Sequence, residues 1–138
     1  MKETCNISLC MIVKDEEDVL KRCLHSLGGI IDEYIIVDTG SSDNTHNIIK
    51  EYGELYLIPF VNFVDTKNEA LKKATGDWVI WMDADEYFVP GHAEMIKEII
   101  EKTDKDYITC DIQDISQNGS DGLRYTRVRA WKNKNDIV

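Results

Sequence analysis

Seven residues, Ile7-Ser8-Leu9-Cys10-Met11-Ile12-Val13, form a short and nearly continuous apolar run. That pattern suits a strand covered on both faces. Val19, Leu20, Cys23, Leu24 and Leu27 then recur at helical spacing and give one apolar stripe. Asp15 stands before the stripe as a cap, the acids after it suit the helix dipole, and Gly28-Gly29 stops the helix. Residues 34–37 read as a second strand ending at Asp38, followed by a polar turn over 39–43. Ser42 or Asp43 caps the next helix, which carries Ile48, Ile49 and Tyr52 and ends at Gly53. Residues 54–58 read as a third strand stopped by Pro59, and residues 60–64 as a loop with apolar anchors. Thr66 and Glu69 fit a capping box, and Gly76 closes that short helix.

The fourth strand is the most informative. Trp78-Val79-Ile80-Trp81-Met82 runs straight into Asp83-Ala84-Asp85-Glu86. Asp is a poor strand residue, so the strand is expected to end at Asp83. Pro90-Gly91 leads into a fourth helix, with Met95, Ile96, Ile99 and Ile100 expected in the core. Residues 106–116 alternate with strand periodicity, residues 118–122 form a hairpin turn, and residues 123–131 return as a strand carrying Arg124, Arg127 and Arg129. Strand and helix alternate through the first half and give way to antiparallel pairing. The expected fold is therefore α/β: a mostly parallel, Rossmann-like sheet with flanking helices and a C-terminal antiparallel hairpin, in one domain over residues 1–138.

A formal charge of −10 argues against nucleic acid and against an anionic membrane surface, because both need clustered Lys and Arg. An acidic protein that binds an anionic ligand needs a cation between them. Cys5, Cys10, Cys23 and Cys110 make no Cys-x-x-Cys pair and no zinc spacing with His, so they read as reduced thiols. No signal peptide and no run of membrane-spanning length is apparent, and a cytoplasmic protein is expected.

Asp15, Asp38 and the Asp83/Asp85 pair each follow a strand expected to be parallel. Such strand ends lie along one edge of the sheet, where ligands bind. If the chain stays extended through Ala84, Asp83 and Asp85 face one site together. Two close carboxylates repel, and a hard divalent cation such as Mg²⁺ or Mn²⁺ relieves the repulsion with oxygen ligands.

The ordered set Met11-Ile12-Val13-Lys14-Asp15-Glu16-Glu17, Ile36-Val37-Asp38-Thr39-Gly40-Ser41-Ser42-Asp43, Thr66-Lys67-Asn68-Glu69-Ala70-Leu71 and Trp81-Met82-Asp83-Ala84-Asp85-Glu86 resembles family 2 glycosyltransferases of the GT-A fold. Within that family it is most similar to the bacterial branch with an Asp-Ala-Asp-Glu ending. That branch includes enzymes acting on lipopolysaccharide core sugars and on peptides. The resemblance implies a UDP-sugar donor and an acceptor that is a saccharide, a lipid-linked glycan or a peptide, with transfer by inversion. It implies that Val13 and Asp15 lie along uracil and ribose, and that Asp38 bonds the base. Lys67 would approach base or diphosphate, Asp83 ribose or metal, and Asp85 would ligate a Mn²⁺ or Mg²⁺ ion on the diphosphate.

Two departures stand out: the family usually has Asn at the position of Asp15 and Arg at that of Lys67. The acceptor base is expected well beyond the metal pair, and Glu86 is the one candidate this chain offers. The chain thus reads as a donor-binding half, truncated at its C-terminus. A shortened sheet leaves an edge that a second copy, a homo-oligomer, would pair with. Three other readings compete. A non-catalytic module would bind nucleotide sugar or a protein without turnover. A nucleotidyltransferase would carry a Gly-rich basic loop where this chain has Lys14-Asp15-Glu16-Glu17. Asp38-Thr39-Gly40 also spells the motif of a dimeric aspartic protease, which would be almost entirely β.

Overall fold

The computed structural model describes residues 5–116 and 118–133. Strand β1 (Ile7–Val13) lies inside the sheet because both of its faces are apolar. Leu9, Met11 and Val13 enter one core and Cys10 the other. The remaining elements are α1 (Leu20–Ser26), β2 (Glu33–Asp38), α2 (Thr45–Tyr52), β3 (Leu55–Leu57), α3 (Phe63–Lys73), β4 (Trp78–Trp81), α4 (His92–Lys102), β5 (Tyr107–Ile115) and β6 (Asp121–Lys132). They form a six-stranded mixed sheet of order β3-β2-β1-β4-β6-β5. Strands β1 to β4 are parallel, and β6 enters antiparallel between β4 and β5.

The two faces are covered unequally. Leu20, Cys23 and Leu24 of α1, Ile48 and Ile49 of α2, and Ala93 and Ile100 of α4 fill the larger core. Ala70 of α3 joins Cys10, Ile35, Val37, Val79 and Trp81 in the smaller one. Register sets the rim of the site. Val13 lies opposite Asp38, while Trp81 lies opposite Cys10. Strand β4 therefore stops short of β1, and the residues after Trp81 turn along the carboxyl edge.

Several local expectations change. Helix α1 begins at Leu20, and Asp15 does not cap it. Asp15 instead takes a left-handed backbone, φ +52°, which Asp tolerates better than most residues. Helix α3 begins a turn earlier than expected, because Asn62 is the cap: its side chain accepts from the Asp65 amide at 2.8 Å and donates to the Asp65 carboxylate at 2.7 Å. Thr66 is consequently buried within the helix, and Phe63 and Val64 belong to its first turn. On α4, Met95 and Ile99 are 54% and 43% exposed rather than in the core, since Ala93, Ile96 and Ile100 carry the inward stripe. Asp121 and Gly122, expected in the hairpin turn, are already strand. Four helices packed on the sheet leave no place for the nearly all-β protease. Among the described residues no helix is long and apolar enough to cross a membrane.

Candidate functional site

The ends of β1 and β2 are fastened together by reciprocal hydrogen bonds. The Asp15 amide donates to Ser41 Oγ at 2.8 Å, and Asp15 Oδ1 accepts from the Ser42 and Asp43 amides at 2.7 and 3.3 Å. The Glu16 amide donates to Thr45 Oγ1 at 2.9 Å, and the Glu17 carboxylate accepts from the Asn44 amide at 3.0 Å. Asp15 therefore fixes the loop before α2 through its carboxylate. Val13 has its side chain in the core and its carbonyl on the Thr39 amide at 3.1 Å.

Asp38 sits beneath this loop and is fully buried. Its Oδ1 accepts from the Gly40 and Ser41 amides at 2.8 and 2.7 Å, with His46 Nε2 3.2 Å away. Burial raises its carboxyl, but the hydrogen bonds from Ser41 and Gly40, with His46 close by, outweigh burial and hold Asp38 below its ordinary value. Oδ2 is buried without a hydrogen-bond partner. A buried acceptor left open is costly, and it is the atom a donor group of a ligand would satisfy.

The acidic segment is not extended through Ala84. The Glu86 amide donates to the Asp83 carbonyl at 3.0 Å and closes a turn. Ala84 is 4% exposed and anchors the turn in the larger core, while Asp83 and Asp85 both face out. The turn is held from two sides. On the α1 side, Cys23 Sγ lies 3.7 Å from the Asp83 carbonyl, and Arg22 donates to the Asp85 carbonyl at 3.3 Å while stacking on Tyr87. On the β6 side, Glu86 accepts from the Asp83 amide at 2.8 Å and from Arg129 Nη2 at 2.5 Å. Burial pushes the Glu86 carboxyl up, against the opposing pull of the Asp83 amide and Arg129.

Lys67 is half-buried on the other sheet face, its Nζ 4.7 Å from the Trp81 ring centre and 5.7 Å from that of Trp131. Burial and the Arg129 charge lower its pKa, and Asp83 works in the opposite direction. Glu16 reads the rest of the rim. Burial raises its carboxyl, as do the charges of Asp85, Asp43, Asp83 and Asp15. The acids that follow β1, β2 and β4 thus share one electrostatic neighbourhood, and Asp83 links it to Lys67.

Among the described residues no three His, Cys, Asp or Glu side chains gather closely enough to hold a metal ion alone. The exposed Asp83 and Asp85 carboxylates supply hard oxygens. Such a donor set fits Mg²⁺ or Mn²⁺ bound through one or two carboxylates, with the remaining positions filled by phosphate oxygens and water. Sequence reasoning missed Arg22, Ser41, Trp131 and the role of Arg129. No spacing signals them, because each reaches its partner across 26 to 63 residues of chain or across the sheet.

A family model described as Glycosyl transferase family 2 matches residues 8–137. A TPR repeat-containing protein of Synechococcus elongatus is 45% identical over 85 residues, covering 60% of this chain and 21% of that protein. An uncharacterized glycosyltransferase of Rickettsia typhi is 38% identical over 81 residues, 58% of this chain and 28% of its own length. The chain therefore spans less than a third of these relatives. Among solved structures, a mannosyltransferase of Pyrobaculum calidifontis in complex with GDP-Man and Mn²⁺ aligns with TM-score 0.63 at 18% identity, over 78% of this chain and 36% of that one. S. aureus TarS residues 1–349 in complex with UDP-GlcNAc aligns at 0.60 and 23% identity, over 74% and 33%. The mixed six-stranded α/β fold of this chain matches the GT-A fold of these structures. The family model spans β1 through β6, including the three strands that the rim acids follow, and this chain belongs to glycosyl transferase family 2.

Proposed function

We propose that this chain is the donor-binding domain of a metal-assisted glycosyltransferase that takes a UDP-sugar and passes the sugar to an acceptor. The observation that carries the reading is the buried Asp38 with its Oδ2 left open, beneath the loops that Asp15 fastens together at the ends of β1 and β2. Asp38, through its open Oδ2, receives the base; Asp83 and Asp85 face the diphosphate; Lys67 supplies the positive charge beside Asp83. A divalent ion bound there would neutralise charge on the departing diphosphate. The protein's own part is to hold the nucleoside by the interlocked loops and to keep the carboxylates in a fixed turn.

Calorimetry with UDP in the presence and absence of Mn²⁺ tests this. Wild-type protein is expected to bind UDP more tightly with Mn²⁺, and Asp85→Ala to lose that gain with an unchanged melting temperature, since Asp85 is exposed. Equal affinity with and without Mn²⁺ in the wild type would remove the metal from the reading. Tighter binding of GDP than of UDP would change the donor class. Release of UDP from UDP-sugar separates an enzyme from a module that only binds.

A further inference from the structure

Glu86 is the residue that the sequence offers as an acceptor base, but its surroundings describe a different task. One oxygen accepts from the Asp83 amide at 2.8 Å and the other from Arg129 at 2.5 Å. The side chains of Arg129 and Glu86 are 15% and 20% exposed, so the pair is shielded from water on most sides. Both oxygens are thus committed to groups of the turn and of β6, the arrangement of a side chain that holds its neighbours in place. Arg129 is rooted in β6, whose next residues Ala130 and Trp131 pair with Ile80 and Val79 of β4. The ion pair thus ties the acidic turn to the strand beside β4, opposite the α1 contacts of Arg22 and Cys23.

We infer that Glu86 and Arg129 form a positioning pair that sets the Asp83-Ala84-Asp85 turn for metal and diphosphate, Glu86 acting through the Asp83 backbone and not as a base. The physical case is geometric. Ala84 anchors the turn in the core and Arg22 and Cys23 hold its carbonyls from the α1 side, while the exposed Asp83 and Asp85 carry like charges that repel. Glu86 closes the turn from within, and Arg129 fixes Glu86 with a charge-assisted bond whose low exposure preserves its strength. Partners that orient ligand groups in this way typically change metal affinity by about 10- to 100-fold when removed. Besides burial, the Arg129 charge lowers the Lys67 pKa, and pairing with Glu86 limits that repulsion.

This inference rests on the donor-site reading for its consequence but not for its geometry, and the test separates the two. Amide exchange of Asp83, followed by NMR in the ligand-free chain, reads the brace directly. Calorimetry with UDP and Mn²⁺ reads its effect. In Arg129→Met the Asp83 amide is expected to exchange faster, and UDP affinity with Mn²⁺ to fall by about tenfold, about 1.4 kcal/mol. Binding of UDP without Mn²⁺ should stay within about twofold, and Arg129→Lys should recover part of the loss, since it keeps the charge but not the planar fork. Unchanged Asp83 exchange in Arg129→Met overturns the pair. So does an equal loss of affinity with and without Mn²⁺, which marks a general loss of structure. If Arg129→Met does not fold, Glu86→Gln carries the same two readouts. If wild-type protein ignores Mn²⁺, the donor-site reading fails, and the brace is judged on Asp83 exchange alone.

Discussion

Replacing Asp38 separates a structural duty from a ligand duty. Its Oδ1 is the shared acceptor of the Gly40 and Ser41 amides, at 2.8 and 2.7 Å, at the point where β2 turns toward α2. Asp38→Ala leaves both amides without that acceptor. Unsatisfied buried groups cost about 1–3 kcal/mol each, and partial exposure of Gly40 and Ser41 lets water recover some of it, so a loss of about 2–4 kcal/mol is expected. With a urea slope of about 2 kcal/mol/M for a domain of this size, the unfolding midpoint falls by about 1–2 M. Fluorescence of Trp78 and Trp81, both buried on β4, reports that transition. Asp38→Asn keeps an oxygen for both amides and should lose less than half as much. Stability against pH gives a second reading. The folded carboxyl of Asp38 titrates below its unfolded value of about 3.9, so its contribution is complete above that value and vanishes as pH falls through the folded one. Asp38→Asn should flatten this acid limb. An Asp38→Ala midpoint within about 0.3 M of wild type would refute the reasoning, because the amides would then be satisfied without the carboxylate.

Two further outcomes follow from packing. A Cβ on Gly76 would lie 2.6 Å from Ser8 Oγ and 2.9 Å from both Asn6 O and Ser8 N, with little room for backbone to retreat. Gly76→Ala should also break the bond from the Gly76 amide to Ser8 Oγ, and lower stability by about 2–3 kcal/mol, several degrees in Tm; an unchanged melt would show that residues 74–77 shift freely. Burial pushes the Cys10 and Cys23 thiols up to about 12, whereas Cys5 and Cys110 are only partly covered. A thiol reagent at pH 8 is expected to titrate no more than two groups in the native protein and four after unfolding, and rapid reaction of a third would mean that the core opens readily.

Strand β1, the apolar stripes of α1 and α2, and the break in β4 before Asp83 are legible in the chain because each depends on neighbours within a turn or a pleat. The hydrophobic period selects helix or strand, and a run of acids ends a strand wherever it falls. Motif order alone pointed to the family, since several short patterns in fixed succession are specific where each one is not. Local logic failed where two local solutions competed. Asn62 and Thr66 both offer a cap, and the one with a reciprocal partner at Asp65 starts α3. Met95 and Ile99 repeat correctly for a helix, yet which side of that helix meets the core is set by the sheet beneath it.

What the chain by itself determined was the set of elements and the acids at their ends. What tertiary structure decided was how those ends are joined: Asp15 to the loop before α2, Glu86 to Arg129 on β6, and Lys67 between two tryptophans from different strands. The reason is physical. Element type follows from interactions a few residues apart, whereas β6 could have bordered β5 alone. Its insertion beside β4 follows from burying Ala130 and covering the edge of a strand apolar on both faces, a result that depends on the whole sheet.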